Sequence, residues 1–170
     1  MSVEYYFFNS LLVPKQEEVA DMVSAYTTGQ LGEKPQMLPV KPAEIWKKHV
    51  GVVALEDEVF MGYIGATEPQ QHNGLMMPEV GSLWVPKQHR NKGVAHGLIS
   101  VVSRSLRELQ NTPYAFCNPL SKPIFERSGY IEAAADSVPS SAFSACGPCP
   151  MKLDLGGCCD EVLVFVGEIA

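Results

Sequence analysis

The stretch VGSLWVPKQHRNKGVAHGLISVVS, residues 80–103, constrains this chain more than any other. It opens as an apolar, β-type run (residues 80–85) and closes as an amphipathic helix. In that helix Val94, Leu98, Val102, Leu106 and Leu109 fall on one stripe, reinforced by Ala95 and Ile99, while Arg104, Arg107 and Glu108 fall outside it. Between strand and helix lies a polar, basic turn, Gln88-His89-Arg90-Asn91-Lys92-Gly93. A helix start leaves backbone N–H groups without partners inside the helix, and the helix dipole adds about half a positive charge there. Gly93 carries no side chain to keep an anion from those amides, and Arg90 and Lys92 bring full charges beside them. The turn suits a phosphate-like anion. A plain tight strand-to-helix turn with solvated basic residues fits the same letters.

The rest of the chain supplies the setting. VEYYFFNSLLV, residues 3–13, is rich in aromatic and branched residues and suits an opening strand. Pro14 stands where a helix would start, with Val19, Met22, Val23 and Tyr26 following at helical spacing. Residues 29–42 hold two glycines and three prolines and read as a surface loop. A short helix is expected over residues 44–49. VGVVALEDEVFMGYIGAT reads as a hairpin around Glu56-Asp57-Glu58, and TEPQQHNG as a polar connection.

In this setting the Arg90-Asn91-Lys92-Gly93-Val94-Ala95 turn resembles the R/Q-x-x-G-x-G/A signature of the GNAT acetyltransferase superfamily. YAFCNPLSKPIFERSGY, residues 114–130, resembles that family's next strand, an asparagine, a short helix and a closing Gly-Tyr. The resemblance covers residues 5–133 and a last strand at 162–166. It implies an α/β fold, a mixed, strongly twisted central sheet flanked by helices on both faces, as a single domain over residues 1–170 with a Cys-rich insertion at about 135–160 before the last strand. It also implies acetyl-coenzyme A as cosubstrate. Amides of Asn91, Lys92, Gly93, Val94 and Ala95 would meet its diphosphate, Arg90 would add charge, and Leu83, Trp84 and Val85 would run beside the pantetheine arm. That strand would splay from its neighbour at a bulge, freeing backbone N–H groups. Asn118 would reach the pantetheine from the other side; locally, Asn118-Pro119 also suits a helix N-cap followed by proline.

The implied activity is N-acetyl transfer to a primary amine by direct attack on the thioester, without a covalent enzyme intermediate. An amine with a pKa near ~10 is almost wholly protonated at neutral pH and needs a base. Glu79 matches the glutamate that serves in histone-type members, and it could instead contact the substrate's ammonium group or be merely exposed. The family's usual acid is a tyrosine near the coenzyme sulfur; here Phe125 occupies that position and donates no proton. A thiolate with a pKa of about 8.5 leaves without obligatory protonation. The alternative from another class is a non-catalytic acyl-coenzyme A sensor or interaction module. Neither G-x-x-x-x-G-K-[ST] nor G-x-G-x-x-G stands at a strand–helix turn, which disfavours nucleotide-binding readings.

Remaining features read as follows. Cys146, Cys149, Cys158 and Cys159 cluster before the last strand, and Cys146-Gly-Pro-Cys149 has a gap that lets two sulfurs face one metal. Zinc, in a structural role, is one expectation there; packed thiols or a Cys146–Cys149 disulfide are the others. His49, His72, His89 and His96 show no metal spacing and read as solvated or capping; Trp46 and Trp84 read as core or pocket-lining; Glu17-Glu18 and Lys47-Lys48 read as solvated helix faces. The chain has 170 residues and a net charge of −6. That length suits one sizeable core, and the charge argues against a nucleic-acid surface. No basic leader or membrane-length apolar run occurs, which predicts a cytoplasmic protein. The acceptor is not encoded in any readable motif, and a homodimer is left open.

Overall fold

The computed structural model describes residues 2–35, 37–146 and 161–167. One sheet is four-stranded, in the order β1 (Glu4–Phe7), β2 (Val50–Glu56), β3 (Val59–Ala66), β6 (Val80–Trp84), with antiparallel neighbours throughout. A second, three-stranded sheet runs β7 (Tyr114–Cys117), β9 (Glu161–Phe165), β8 (Tyr130–Ala133), also antiparallel. The two sheets meet through a parallel bridge, Glu79 opposite Tyr114, and the Tyr114 N–H donates to the Pro78 carbonyl at 3.1 Å. This parallel contact makes the expected mixed sheet, and beyond it β6 and β7 part.

Helices cover both faces. On one face α1 (Val13–Thr27) and α2 (Pro42–Trp46) bury Val19, Val23, Tyr26 and Ile45 against Val53, Tyr63 and Trp84. On the other, α3 (Val94–Glu108) and α4 (Lys122–Arg127) bury Leu98, Ile99, Val102, Leu106 and Phe125 against Val52, Ile64 and Leu163. The stripe read from the sequence is therefore the core face of α3, except at its end. Leu109 lies past the last helical residue and is exposed.

Other expectations shift at their edges for local reasons. The opening strand ends at Phe7, because residues 8–10 form a 3₁₀ turn that buries Phe8 edge-on against Tyr63 and Trp46. The second helix begins at Pro42, where the Lys41 N–H donates to Glu44 Oε2 at 2.6 Å, and it ends before Lys47. In the β2–β3 hairpin Asp57 and Glu58 alone form the turn, both with positive φ. The polar connection contains a further hairpin, β4 (Gln70–His72) with β5 (Leu75–Met77). Its turn is Asn73-Gly74, both left-handed, the pair that a two-residue hairpin favours. That dipeptide was the readable signal.

Candidate functional site

The parting of β6 from β7 opens a cleft of about 1260 Å³ that runs from Glu79 past Ser82–Val85 to the Gly93 turn. Two features of β6 shape it. Its pairing with β3 slips between Tyr63↔Trp84 and Gly65↔Gly81, so β6 carries one extra residue, and Ser82 takes a left-handed φ of 55°. A bulge of this kind bends a strand and increases its twist, which turns β6 away from its partner. Leu83 packs toward the α3 side of the sheet and Trp84 toward the α1 side, where it stacks on Tyr26 with 4.8 Å between ring centroids. Val85 is buried at the strand's end and also lines the cleft.

At the far end Gly93 is the N-cap of α3, with φ of 80° and no side-chain cap. Its carbonyl accepts from Gly97 N–H at 3.0 Å, and no acidic side chain stands in the first turn. Asn91 is left-handed as well. A Cβ built on Gly93 would meet nothing within 4 Å, so a side chain there would project into open space beside the helix N–H groups. Gly93, Val94, Ala95, Asn91 and Arg90 all line the cleft; Lys92, beside them in the turn, is exposed. Arg90 is already engaged: its Nε donates to the Val85 carbonyl at 3.0 Å, and its guanidinium pairs with Glu33 at 2.5 Å. Glu33, from the loop after α1, had no signal in the sequence.

The near end is built on glycine. Gly51, Gly65 and Gly81 are register partners in a row across β2, β3 and β6. The space left by their side chains is taken by groups from elsewhere. A Cβ on Gly65 would lie 2.7 Å from Tyr63 Oη and 3.1 Å from Lys48 Cγ, and one on Gly81 would lie 3.6 Å from Glu79 Oε1. Lys48 and Glu79 thus lie over neighbouring glycines and both line the cleft. Thr67 clamps the Glu79 backbone from both sides: its N–H donates to the Glu79 carbonyl, and its Oγ1 accepts from the Glu79 N–H, each at 2.9 Å. Burial raises the Glu79 carboxyl above its ordinary range, and the Lys48 ammonium opposes that rise. Burial lowers Lys48 in turn, opposed by Glu79 and Glu44. Lys48 is therefore no solvated helix residue. It lies beyond the end of α2 and turns inward, a placement that no periodicity announces.

Asn118 follows the last residue of β7, is buried and lines the cleft. Its Oδ1 accepts from the N–H groups of Leu120 at 3.0 Å and Ser121 at 2.9 Å. It caps a turn rather than the helix: Ser121 is the N-cap of α4, and Pro123, not Pro119, stands in the first helical turn. Phe125 lines the cleft while packing edge-on against Tyr130 at 5.0 Å. The Tyr130 hydroxyl is buried and bonded to Ser103 at 2.8 Å, outside the cleft lining. His96 lines the cleft and bonds Ser128 through Nδ1 at 2.9 Å; since the Ser128 hydroxyl donates to the Ile124 carbonyl, His96 Nδ1 carries the proton. His89 also lines the cleft, and its Nδ1 is buried with no hydrogen bond among the described residues, so it is not simply solvated. The Cys146 side chain, Cys149, Cys158 and Cys159, and with them the zinc expectation, lie outside the described residues. Among the described residues no cluster of three or more His, Cys, Asp or Glu is placed to hold a metal, and no helix is long and apolar enough to cross a membrane.

Known structures share this architecture. A GNAT-family acetyltransferase from Staphylococcus aureus Mu50 superposes with a TM-score of 0.64 at 14% identity, over 96% of this chain and 98% of that one. N-acetylglutamate synthase from Neisseria gonorrhoeae, solved with coenzyme A and N-acetyl-glutamate, gives 0.64 at 13%, over 97% of this chain and 35% of that longer one. A GNAT-family N-acetyltransferase from Escherichia coli, solved with coenzyme A, gives 0.56 at 17%, over 96% and 80%. No curated protein sequence matches the chain. The sequence profile of the acetyltransferase (GNAT) family, however, matches residues 17–130, which is more than half of the chain. With that match, and with the splayed β6 and glycine turn described above, the chain belongs to the GNAT acetyltransferase family.

Proposed function

We propose that this protein transfers an acetyl group from acetyl-coenzyme A to the primary amine of a small molecule or peptide, in the cleft beside β6. The observation that carries the reading is the continuity of that cleft, from the carboxylate of Glu79, whose backbone Thr67 clamps, to an uncapped, glycine-opened helix start at Gly93. The residues present fit the cosubstrate. The open space at Gly93 admits phosphate oxygens to the N–H groups at the start of α3, with Asn91 and Lys92 beside them and Arg90 adding charge. Leu83, Trp84 and Val85 supply the strand along which the pantetheine arm would run, and Asn118 and Phe125 also line the cleft.

When bound, acetyl-coenzyme A supplies an electrophilic carbonyl carbon and a thiolate leaving group. The chain does the rest. Glu79 accepts a proton from the acceptor's ammonium group, directly or through water. Its raised carboxyl is a stronger base than a solvated one, and a buried carboxylate attracts a cationic amine. Where β6 bulges, a backbone N–H would serve as a preorganised donor for the oxyanion. Phe125 leaves the usual acid position without a hydroxyl, and the Tyr130 hydroxyl is committed to Ser103, so the thiolate departs unassisted or takes its proton from water.

The test is an acceptor screen read by thiol release. Release with at least one amine, abolished in Glu79→Gln, supports the reading. Coenzyme binding without release for any amine overturns it and leaves a non-catalytic acyl-coenzyme A sensor, which the loss of the acid hydroxyl at Phe125 would then explain.

A further inference from the structure

The near end of the cleft holds two opposite charges that interact without forming a direct ion pair among the described residues. Lys48 and Glu79 lie over adjacent glycines of β3 and β6, within each other's electrostatic reach, yet no ion pair joins them among the described residues. No hydrogen bond to the Lys48 ammonium or to the Glu79 carboxylate is present among the described residues either. Partly buried charges left without a partner are costly, and a ligand that completes both recovers that cost. Three apolar side chains of the loop after α1, Met37, Leu38 and Val40, line the same cleft and are half-buried.

From this arrangement we infer that Lys48 selects an acceptor with a carboxylate beside its primary amine, a free α-amino acid with an apolar side chain. The inference rests on the acetyl-transfer reading above. The amino group faces Glu79, the carboxylate faces Lys48, and the side chain lies against Met37, Leu38 and Val40. Glu79 removes one proton from the acceptor's ammonium group. The nitrogen lone pair then forms the bond to the acetyl carbon, the C–S bond breaks with its electrons on sulfur, and the second nitrogen proton is lost to the thiolate or to water. The carboxylate takes no part in that balance. It positions the amine and replaces the solvation that Lys48 lost on burial.

The experiment compares leucine, leucinamide and 3-methylbutylamine, which keep the amine and the branched chain while carrying, masking and lacking the carboxylate. In the wild type, kcat/KM for leucine should exceed that for either analogue by roughly tenfold or more, the range of a charge-assisted contact, mainly through KM. In Lys48→Met, similar in length and uncharged, that ratio should collapse toward one; in Lys48→Arg most of it should survive. Thiol release at equal efficiency for all three amines in the wild type overturns this inference and leaves the acetyl-transfer reading standing. A leucine preference undiminished in Lys48→Met also overturns it, since the carboxylate would then be held elsewhere. No release with any amine removes both.

Discussion

The two ends of the cleft are built by different means. The phosphate end is made by one continuous stretch of chain: strand β6, a 3₁₀ turn over Lys87–His89, left-handed Asn91 and Gly93, then α3. The acceptor end is assembled from the connection after α2, the end of β3 with Thr67, the start of β6 and the loop after α1. The first would work with backbone N–H groups and would need a glycine with room beside it. The second works with two side-chain charges over a floor of glycines. A backbone site tolerates many side chains around it, whereas a side-chain site changes its ligand when one residue changes. On the proposed reading, cosubstrate binding rests on Gly93 and acceptor selectivity on Lys48 and Glu79.

Breaking the chemical end should cost most. Glu79→Gln keeps the shape and the Thr67 clamp, which holds residue 79 by its backbone, and removes the proposed base. The expected loss in kcat/KM is about 10²–10⁴-fold, the usual worth of a positioned base. The acetyl-coenzyme A thermal shift should persist, because the phosphate end is untouched. A variant as fast as the parent would show that Glu79 is not the base.

Breaking the phosphate end should remove binding instead. At a hundredfold excess over Kd, acetyl-coenzyme A should stabilise the folded protein by about 2.7 kcal/mol. For a chain of this length that is roughly 5–10 °C in Tm. Gly93→Val should abolish the shift by filling the open space beside the α3 N–H groups. It should also lower the unliganded Tm by roughly 2–8 °C, since a left-handed φ costs a non-glycine residue about 1–2 kcal/mol. A retained shift would move the diphosphate elsewhere.

The same contrast explains which parts of the molecule are legible in its sequence. The phosphate turn is contiguous, so its glycine, its basic residues and its helix stripe stand together in the sequence, and the structure moves only the stripe's end at Leu109. Glu79 was visible because it opens the same strand. Lys48 was not, since what matters is its crossing over Gly65, and Gly65 becomes a floor only when β3 pairs with β6. Glu33 was hidden for the same reason, because its partner Arg90 is remote in sequence. The fold was legible because strand runs and helix stripes are local patterns. The β4–β5 hairpin was missed although Asn73-Gly74 marks it, because its strands are short and polar at Gln70–His72.

The pH profile sharpens the side-chain end. Glu79 must be ionised to accept a proton, so activity should fall as pH drops through its folded-state pKa. Burial raises that pKa, so the acid limb of kcat/KM should lie above the range of an ordinary carboxylate. Lys48→Met removes the cation that opposes the rise, so the limb should move to still higher pH. In Glu79→Gln the limb should vanish from whatever activity remains. A limb that stays put in Lys48→Met would show that the two charges do not meet across the glycine floor.

The smallest effect should come from a contact that links the two ends, the Arg90–Glu33 pair. Glu33 belongs to the loop bordering the acceptor wall, and it holds Arg90, whose charge the diphosphate would otherwise use. The pair is partly exposed, with Arg90 44% and Glu33 26% accessible, so solvent screens it and its worth is no more than about 1 kcal/mol. Arg90 would stay anchored without it, since its Nε also donates to the Val85 carbonyl. Glu33→Gln should therefore leave Arg90 in place and free its charge for an incoming anion. Acetyl-coenzyme A should bind more tightly, by up to roughly fivefold in Kd. The gain should shrink at high salt, where screening weakens the Glu33 competition and the phosphate contact alike. Titration calorimetry at two ionic strengths measures both. Weaker binding in Glu33→Gln would mean that the pair orders the turn for the diphosphate instead of competing with it, and the two ends would then be coupled in the opposite sense.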